Sequence, residues 1–342
     1  MAKFVITGDW HFRSVNPKAR LDNYQDALRE KIYEVYRLAE EHGAAAIIVP
    51  GDLCDSPTVS LSTIGALARI LTAAPRPVLT IPGNHDIFGH NLDSVGRTPY
   101  GLIKDLEYIR DVDRGHWTFT GSGLGGSFDG TVTGHGFDAD TDRDIRQYGV
   151  PTGIASRADF RIHLAHGMLL PKEPHNDMMR YTLIDELAKL PAELAPHVLI
   201  CGHYHFGLPL AWGGPARKTL VINPGALGRL TAHVEEMDRV VQVALLTVNT
   251  LTDYSARFIP LRCARPSHEV LSREHIIAAE EREARMDRFL ALLAAEGEGQ
   301  FLEIQDIVDD IARREKLPPA VRDEALRRIG AAREALGKRE AV

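Results

Sequence analysis

Val78-Leu79-Thr80-Ile81-Pro82-Gly83-Asn84-His85-Asp86 sets a short apolar run against a Pro-Gly break and then three polar side chains. The run reads as a buried strand, and the break ends it. An amide, an imidazole and a carboxylate are thereby delivered just past the strand's carboxyl end. The same grammar recurs in both directions. Upstream, Lys3 to Thr7 leads into Gly8-Asp9-Trp10-His11, and Ala45 to Val49 leads into Pro50-Gly51-Asp52. Downstream, Phe160 to Ala165 precedes His166-Gly167, and Val198 to Cys201 precedes Gly202-His203-Tyr204-His205. Residues 22–42 and 60–73 separate the first three strands and carry helical periodicity, with Gly43 as a stop. Alternating strands and helices predict an α/β layered fold. Functional groups in such sheets collect beyond the carboxyl ends of the strands, so the five motifs are expected in one place, on five strands of one sheet.

The residue types in those loops share one chemistry. Two Asp (Asp9, Asp52), one Asn (Asn84) and four His (His11, His166, His203, His205) offer oxygen and imidazole donors and no thiolate. That set suits Mn, Fe, Zn or Ni better than a closed cysteine-rich zinc site. Asp9-x-His11 and His203-x-His205 have the i, i+2 spacing that puts both side chains on one side of an extended segment. Seven donors exceed the need of one ion that keeps room for substrate. Two ions sharing a carboxylate use them all, and a pair roughly 3.5–4 Å apart clamps a phosphoryl group and activates water.

The order D-x-H, G-D, G-N-H-D, H-G, G-H-x-H, spread over residues 9–205, resembles the calcineurin-like metallophosphoesterases. The resemblance implies a four-layer α/β/β/α sandwich to about residue 265. It implies that Asp9, His11, Asp52 and His205 hold one metal and that Asp52, Asn84, His166 and His203 hold the other, with Asp52 bridging. His85 is then the general acid that protonates the leaving oxygen, and Asp86 its orienting partner. Within the superfamily, Gly51-Asp52-Leu53-Cys54-Asp55-Ser56-Pro57 resembles a stretch of SbcD-type DNA repair exonucleases. That likeness implies a Mn-dependent nuclease acting on DNA beside an SbcC-like coiled-coil ATPase, and it extends to a homodimer. A small-molecule phosphodiesterase or phosphatase on the same site, for example for cyclic nucleotides, is the alternative.

Other parts of the chain constrain this less. Residues 87–160, rich in Gly and Asp, read as an insertion with peripheral strands, and Leu220–Ile222 and Val240–Val248 as strands of a second sheet. From about residue 266 a charged helical module is expected: 268–342 holds 17 acidic and 13 basic residues. Ile304, Ile307, Val308 and Ile311 mark one helix face, and Leu317-Pro318-Pro319 breaks it before a further helix. Arg229, after the turn at Asn223-Pro224-Gly225, and His175, in a Pro-rich loop, are weaker candidates for substrate contacts. Of the 342 residues, 44% are hydrophobic and 25% charged, which argues against a disordered chain. A net charge of −7 argues against a free-standing basic nucleic-acid binder. Three widely spaced cysteines do not form a disulfide framework. With no apolar leader or spanning run, the expectation is a cytoplasmic protein without a membrane contact.

Overall fold

The structure is a computed structural model that describes residues 1–123, 126–155, 158–174, 180–274, 276–277, 282, 285–286 and 304–337. The chain divides into two compact units, Met1–His275 and Ile276–Val342.

The first unit is built on two six-stranded sheets. Its strands run β1 (Ala2–Ile6), β2 (Ala46–Val49), β3 (Val78–Thr80), β4 (Arg110–Asp111), β5 (His116–Gly123), β6 (Gly126–His135) and β7 (Phe160–Gly167). They continue with β8 (Leu169–Leu170), β9 (Thr182–Leu183), β10 (Val198–His203), β11 (Ala211–Gly213), β12 (Thr219–Ile222), β13 (Gln242–Val248) and β14 (Tyr254–Pro260). One sheet has the order β14-β13-β1-β2-β3-β4, the other β11-β12-β10-β7-β6-β5, and β8 pairs with β9 apart from both. The inner strands of each sheet are parallel. The partners β13, β14, β5 and β11 are antiparallel.

Side-chain alternation explains the layering. Phe4 and Ile6 of β1 enter a core shared with Ile162 and Leu164 of β7 and Val198 and Ile200 of β10, between the sheets. Val5, one residue out of phase, faces the opposite way and packs with the helices. Each such aliphatic side chain contributes roughly 1.5–3 kcal/mol when fully buried. The outer layer on the first sheet is α1 (Tyr24–Glu41) and α2 (Leu61–Thr72). The Asn23 side chain caps α1 by accepting from the Asp26 amide, and Leu28, Ile32, Val35 and Ala39 form its buried face. Ser60 caps α2 in the same way through the Thr63 amide. The outer layer on the second sheet consists of short 3-10 turns, Ile145–Tyr148 and Ile184–Lys189, whose Tyr148, Ile184 and Leu187 cover Leu199, Cys201 and Val221. The mixed α/β sandwich expected from the sequence is thus present.

Two expectations need correction. Val240–Val248 corresponds to β13, which lies beside β1 in the first sheet, not the second. Its Ala244 and Leu246 line the inter-sheet core while Val243 and Leu245 line the helix side, so either sheet would have suited its pattern. Residues 87–160 supply the edge strands β4 and β5, as the peripheral reading expects, but also an internal strand. β4 extends the first sheet, and β6 pairs in parallel with β7 inside the second, burying Phe128 and Val132. Glycines at 126, 130 and 134 hide that strand from a propensity reading.

In the second unit, helices Ile304–Arg314 and Pro319–Gly337 are joined by a turn and tied by an Arg322–Asp309 ion pair of 2.6 Å. No described helix of either unit is long and apolar enough to cross a membrane.

Candidate metal centre

Loops leaving the carboxyl ends of β1, β2 and β3 in the first sheet meet those leaving β7 and β10 in the second. The motifs thus converge from two sheets, which corrects the single-sheet expectation. Ligand-capable atoms of Asp9, His11, Asp52 and His205 lie within 4.8 Å of one another, and so do those of Asp52, His166 and His203. Asp52 belongs to both groups.

The backbone around Asp52 explains the convergence. Its carbonyl accepts from the amides of Trp10 (3.0 Å) and His11 (2.9 Å), clamping the β1 and β2 loops together. Its carboxylate Oδ1 accepts from the His85 amide at 2.8 Å, clamping the β3 loop. Asp9 Oδ2 accepts from the His203 amide at 3.0 Å, which joins the two sheets. His11, Asp52 and His203 have φ of 47°, 49° and 74°, a region that costs a non-glycine residue of order 1 kcal/mol and clusters at functional sites. Two glycines are sterically required. A Cβ at Gly51 (φ +106°) would collide with the His166 ring, and one at Gly83 with the Asp52 carboxylate.

The donor atoms crowd together, and two buried carboxylate oxygens among them have no hydrogen-bond partner among the described residues. Asp52 Oδ2 has no hydrogen-bond partner and faces His166 Nε2 at 3.3 Å and His11 Nε2 at 3.6 Å. Asp9 Oδ1 is buried and equally unpartnered. His11 Nε2 and His205 Nε2 stand 2.9 Å apart, and His205 Nε2 is 3.4 Å from Asp9 Oδ2. His166 Nδ1 lies 2.8 Å from the Pro50 carbonyl, which can only accept, so that nitrogen carries the hydrogen. Nε2 of His166 is left facing Asp52 and the Asn84 Oδ1, 3.0 Å away. Buried lone pairs aimed at one another are costly unless a cation lies among them. The donor set therefore fits divalent cations.

Electrostatics agrees with the geometry. Burial alone would raise Asp52, but His166, His11 and His85 outweigh it and hold the carboxyl far below its usual range. Burial lowers His166, but the field of Asp52 and the contact with its carboxylate outweigh it and raise the group to about 10, so Nε2 takes up a proton toward Asp52 at the position where a divalent cation would replace it. Burial pushes Asp9 up to about 7. Burial also lowers His11 well below its ordinary value, His205 to about 4 and His203 to about 3. Those three imidazoles are neutral at physiological pH, the state in which imidazole ligates.

His85 stands beside the ligands, its ring 4.7 Å from that of His11. Its Nδ1 donates to the Asp55 carbonyl at 2.8 Å, leaving Nε2 as the proton-exchanging nitrogen. The expected pairing of Asp86 with His85 is corrected here. The buried Asp86 carboxylate accepts from the amides of Gly83 (2.9 Å), Cys54 (2.9 Å) and Leu53 (3.2 Å), so it staples the β2 and β3 loops instead. A carboxylate with three main-chain donors has no reason to turn toward a ring.

Arg229 is also elsewhere. It is buried, and its guanidinium donates to the carbonyls of Arg265 (3.0 Å) and Arg239 (2.7 Å), not toward the acid–imidazole cluster. His175 lies outside the described residues. Asp55, to which the sequence motifs assign no role, belongs to the site as well: its carboxylate pairs with Arg13 at 2.8 Å and approaches His11 Nδ1 at 3.6 Å. So does Phe137, whose ring packs 5.5 Å from His203 and 6.1 Å from His166. Asp55 was visible in the Gly51–Pro57 stretch. Phe137 carried no signal.

Residues 2–207, well over half the chain, match the sequence model of the family described as calcineurin-like phosphoesterase. No curated protein matches the chain. Among solved structures it is similar to GAP50, the anchor in the inner membrane complex of Plasmodium, at 12% identity over 76% of this chain and 84% of that one, with a TM-score of 0.50. It is also similar to the calcineurin-like phosphoesterase YfkN from Bacillus subtilis, at 13% identity over 84% and 97% of the two chains (TM-score 0.49). A dimetal phosphatase from Danio rerio aligns at 12% identity over 75% and 98% (TM-score 0.45). At 12% identity the first likeness bears on the fold alone. The family match across residues 2–207 and the converged donors together make this chain a member of the calcineurin-like phosphoesterase family, hydrolases of phosphoester bonds.

Proposed function

We propose that the chain is a dinuclear-metal phosphodiesterase whose substrate is DNA. One carboxylate oxygen carries the dinuclear reading: Asp52 Oδ2, which faces an imidazole of each donor group at 3.6 and 3.3 Å. Asp9, His11, Asp52 and His205 would hold one ion, and Asp52, Asn84, His166 and His203 the other, with Mn the expected metal. Two divalent ions, when bound, offset the charge on the non-bridging phosphoryl oxygens and lower the pKa of water.

The chain's own residues do the rest. Asp52 fixes the spacing of the two halves and, through the His85 amide, the position of the acid. The Asp55 carbonyl pins the His85 ring by Nδ1, so Nε2 is the atom that hands a proton to the departing ester oxygen. The choice of DNA rests on the SbcD-type likeness of Gly51–Pro57, the stretch that supplies this carbonyl. The same likeness points to an SbcC-like ATPase as partner of the C-terminal helices.

A second substrate reading has its own observation. Phe137, from the region between the motifs, lies against His166 and His203 and walls one side of the centre, a feature that favours a small phosphodiester. End-labelled linear DNA, single- and double-stranded, and bis(p-nitrophenyl) phosphate separate the two. Mn-dependent shortening of labelled DNA is the expected result. Hydrolysis of the small ester with DNA left intact moves the substrate to small phosphodiesters, and no metal-dependent turnover of either overturns the proposal.

A further inference from the structure

On the helix side of the first sheet, a cavity of about 180 Å³ opens beside the N-terminal half of α1. Arg20, Lys31, Arg229 and Arg265 line it, and none of them belongs to the metal centre. Arg20 is neutralised by Asp22, which accepts from Nε and Nη2 at 2.8 Å each. Arg265 pairs with Glu269 at 3.2 Å. Arg239, buried nearby, is matched by Glu236 at 2.6 Å and by the carbonyls of Ala226 and Gly228.

Lys31 and Arg229 are left over. Lys31 is 4% exposed, and among the described residues no hydrogen bond or ion pair reaches its ammonium. Among the described residues, the Arg229 guanidinium touches only carbonyl oxygens, and its Nε has no partner. The acidic residues at the wall do not compensate them. Asp22 is spent on Arg20, Asp26 pairs with Arg29 at 2.9 Å, and Glu30 is an exposed residue. Two buried cations without counter-charge, facing space larger than a few waters, are costly for a fold to keep.

We propose that this cavity is an anion site that takes a phosphate-class oxyanion against Lys31 and Arg229. Such an anion supplies the missing counter-charge and accepts from the donors left open. Burial, then Arg20, Arg229 and Arg239, push the Lys31 ammonium down to about 7, and an oxyanion offsets that penalty. Arg229 thus meets a phosphate group, at a place distinct from the one its sequence context suggested.

The test reads Lys31 directly, so phosphate bound at the metal centre does not confuse it. The full-length, metal-loaded chain is reductively methylated at pH 8, and the rate at Lys31 is followed by peptide mass mapping. Inorganic phosphate or a nucleoside monophosphate is added against chloride of equal ionic strength. At ten times the dissociation constant, the labelling of Lys31 is expected to slow about tenfold. The stronger of the two protectors identifies the source of the oxyanion. An unchanged rate with both, or equal protection by chloride, overturns the proposal. In Arg229→Gln, folded by circular dichroism, the protection is expected to vanish, and its survival overturns the role of Arg229. Should that variant not fold, the wild-type protection decides.

Discussion

Asp52→Ala is expected to empty both metal positions at once, and with them all turnover. Asp52 is the only residue common to the two donor groups, and its Oδ2 faces His11 on one side and His166 on the other. Each remaining group keeps imidazoles but loses the one buried carboxylate held ionised across the physiological range. Asp9 does not replace it, since burial raises that carboxyl to about 7. The variant also loses the acceptor of the His85 amide, so the acid drifts. Elemental analysis of the purified variant, beside phosphodiester hydrolysis, checks both effects. A variant that still holds two ions per chain removes Asp52 from the bridging role.

His85→Ala is expected to separate binding from chemistry. His85 is tied to the Asp55 carbonyl and to Asp52 through its amide, and the alanine keeps that amide. Metal content should therefore stay at the wild-type value. The loss falls on proton transfer to the leaving oxygen, a contribution of about 10²- to 10⁴-fold in rate. The loss should be largest for esters with poorly acidic leaving alcohols. It should shrink for p-nitrophenolate, which departs without a proton. An equal loss on both kinds of ester would remove the general-acid role and leave His85 as a positioning residue.

The site was more legible in the sequence than the sheets that carry it. Each donor motif follows an apolar run and has a Gly or Pro beside it, so strand ends and ligands announce themselves together. Which strands share a sheet is decided by long-range pairing that local pattern does not encode. β13 alternates equally well for either sheet and was misplaced, and β6 is too rich in glycine to read as an internal strand. The roles assigned to Asp86 and Arg229 failed for a common reason. Both side chains bond to main-chain groups, Asp86 to three amides and Arg229 to two carbonyls. The partner of His85 is likewise a backbone carbonyl, which any residue at position 55 presents. Side-chain identity reveals donors to a metal far better than it reveals partners of the backbone.

The most direct measurement is anomalous diffraction from crystals of the wild-type chain grown with Mn. Two peaks per chain, both bonded to the carboxylate of Asp52 and flanked by His11 and His205 on one side and His166 and His203 on the other, are the predicted result. A single peak, or two peaks that do not share Asp52, would contradict the account.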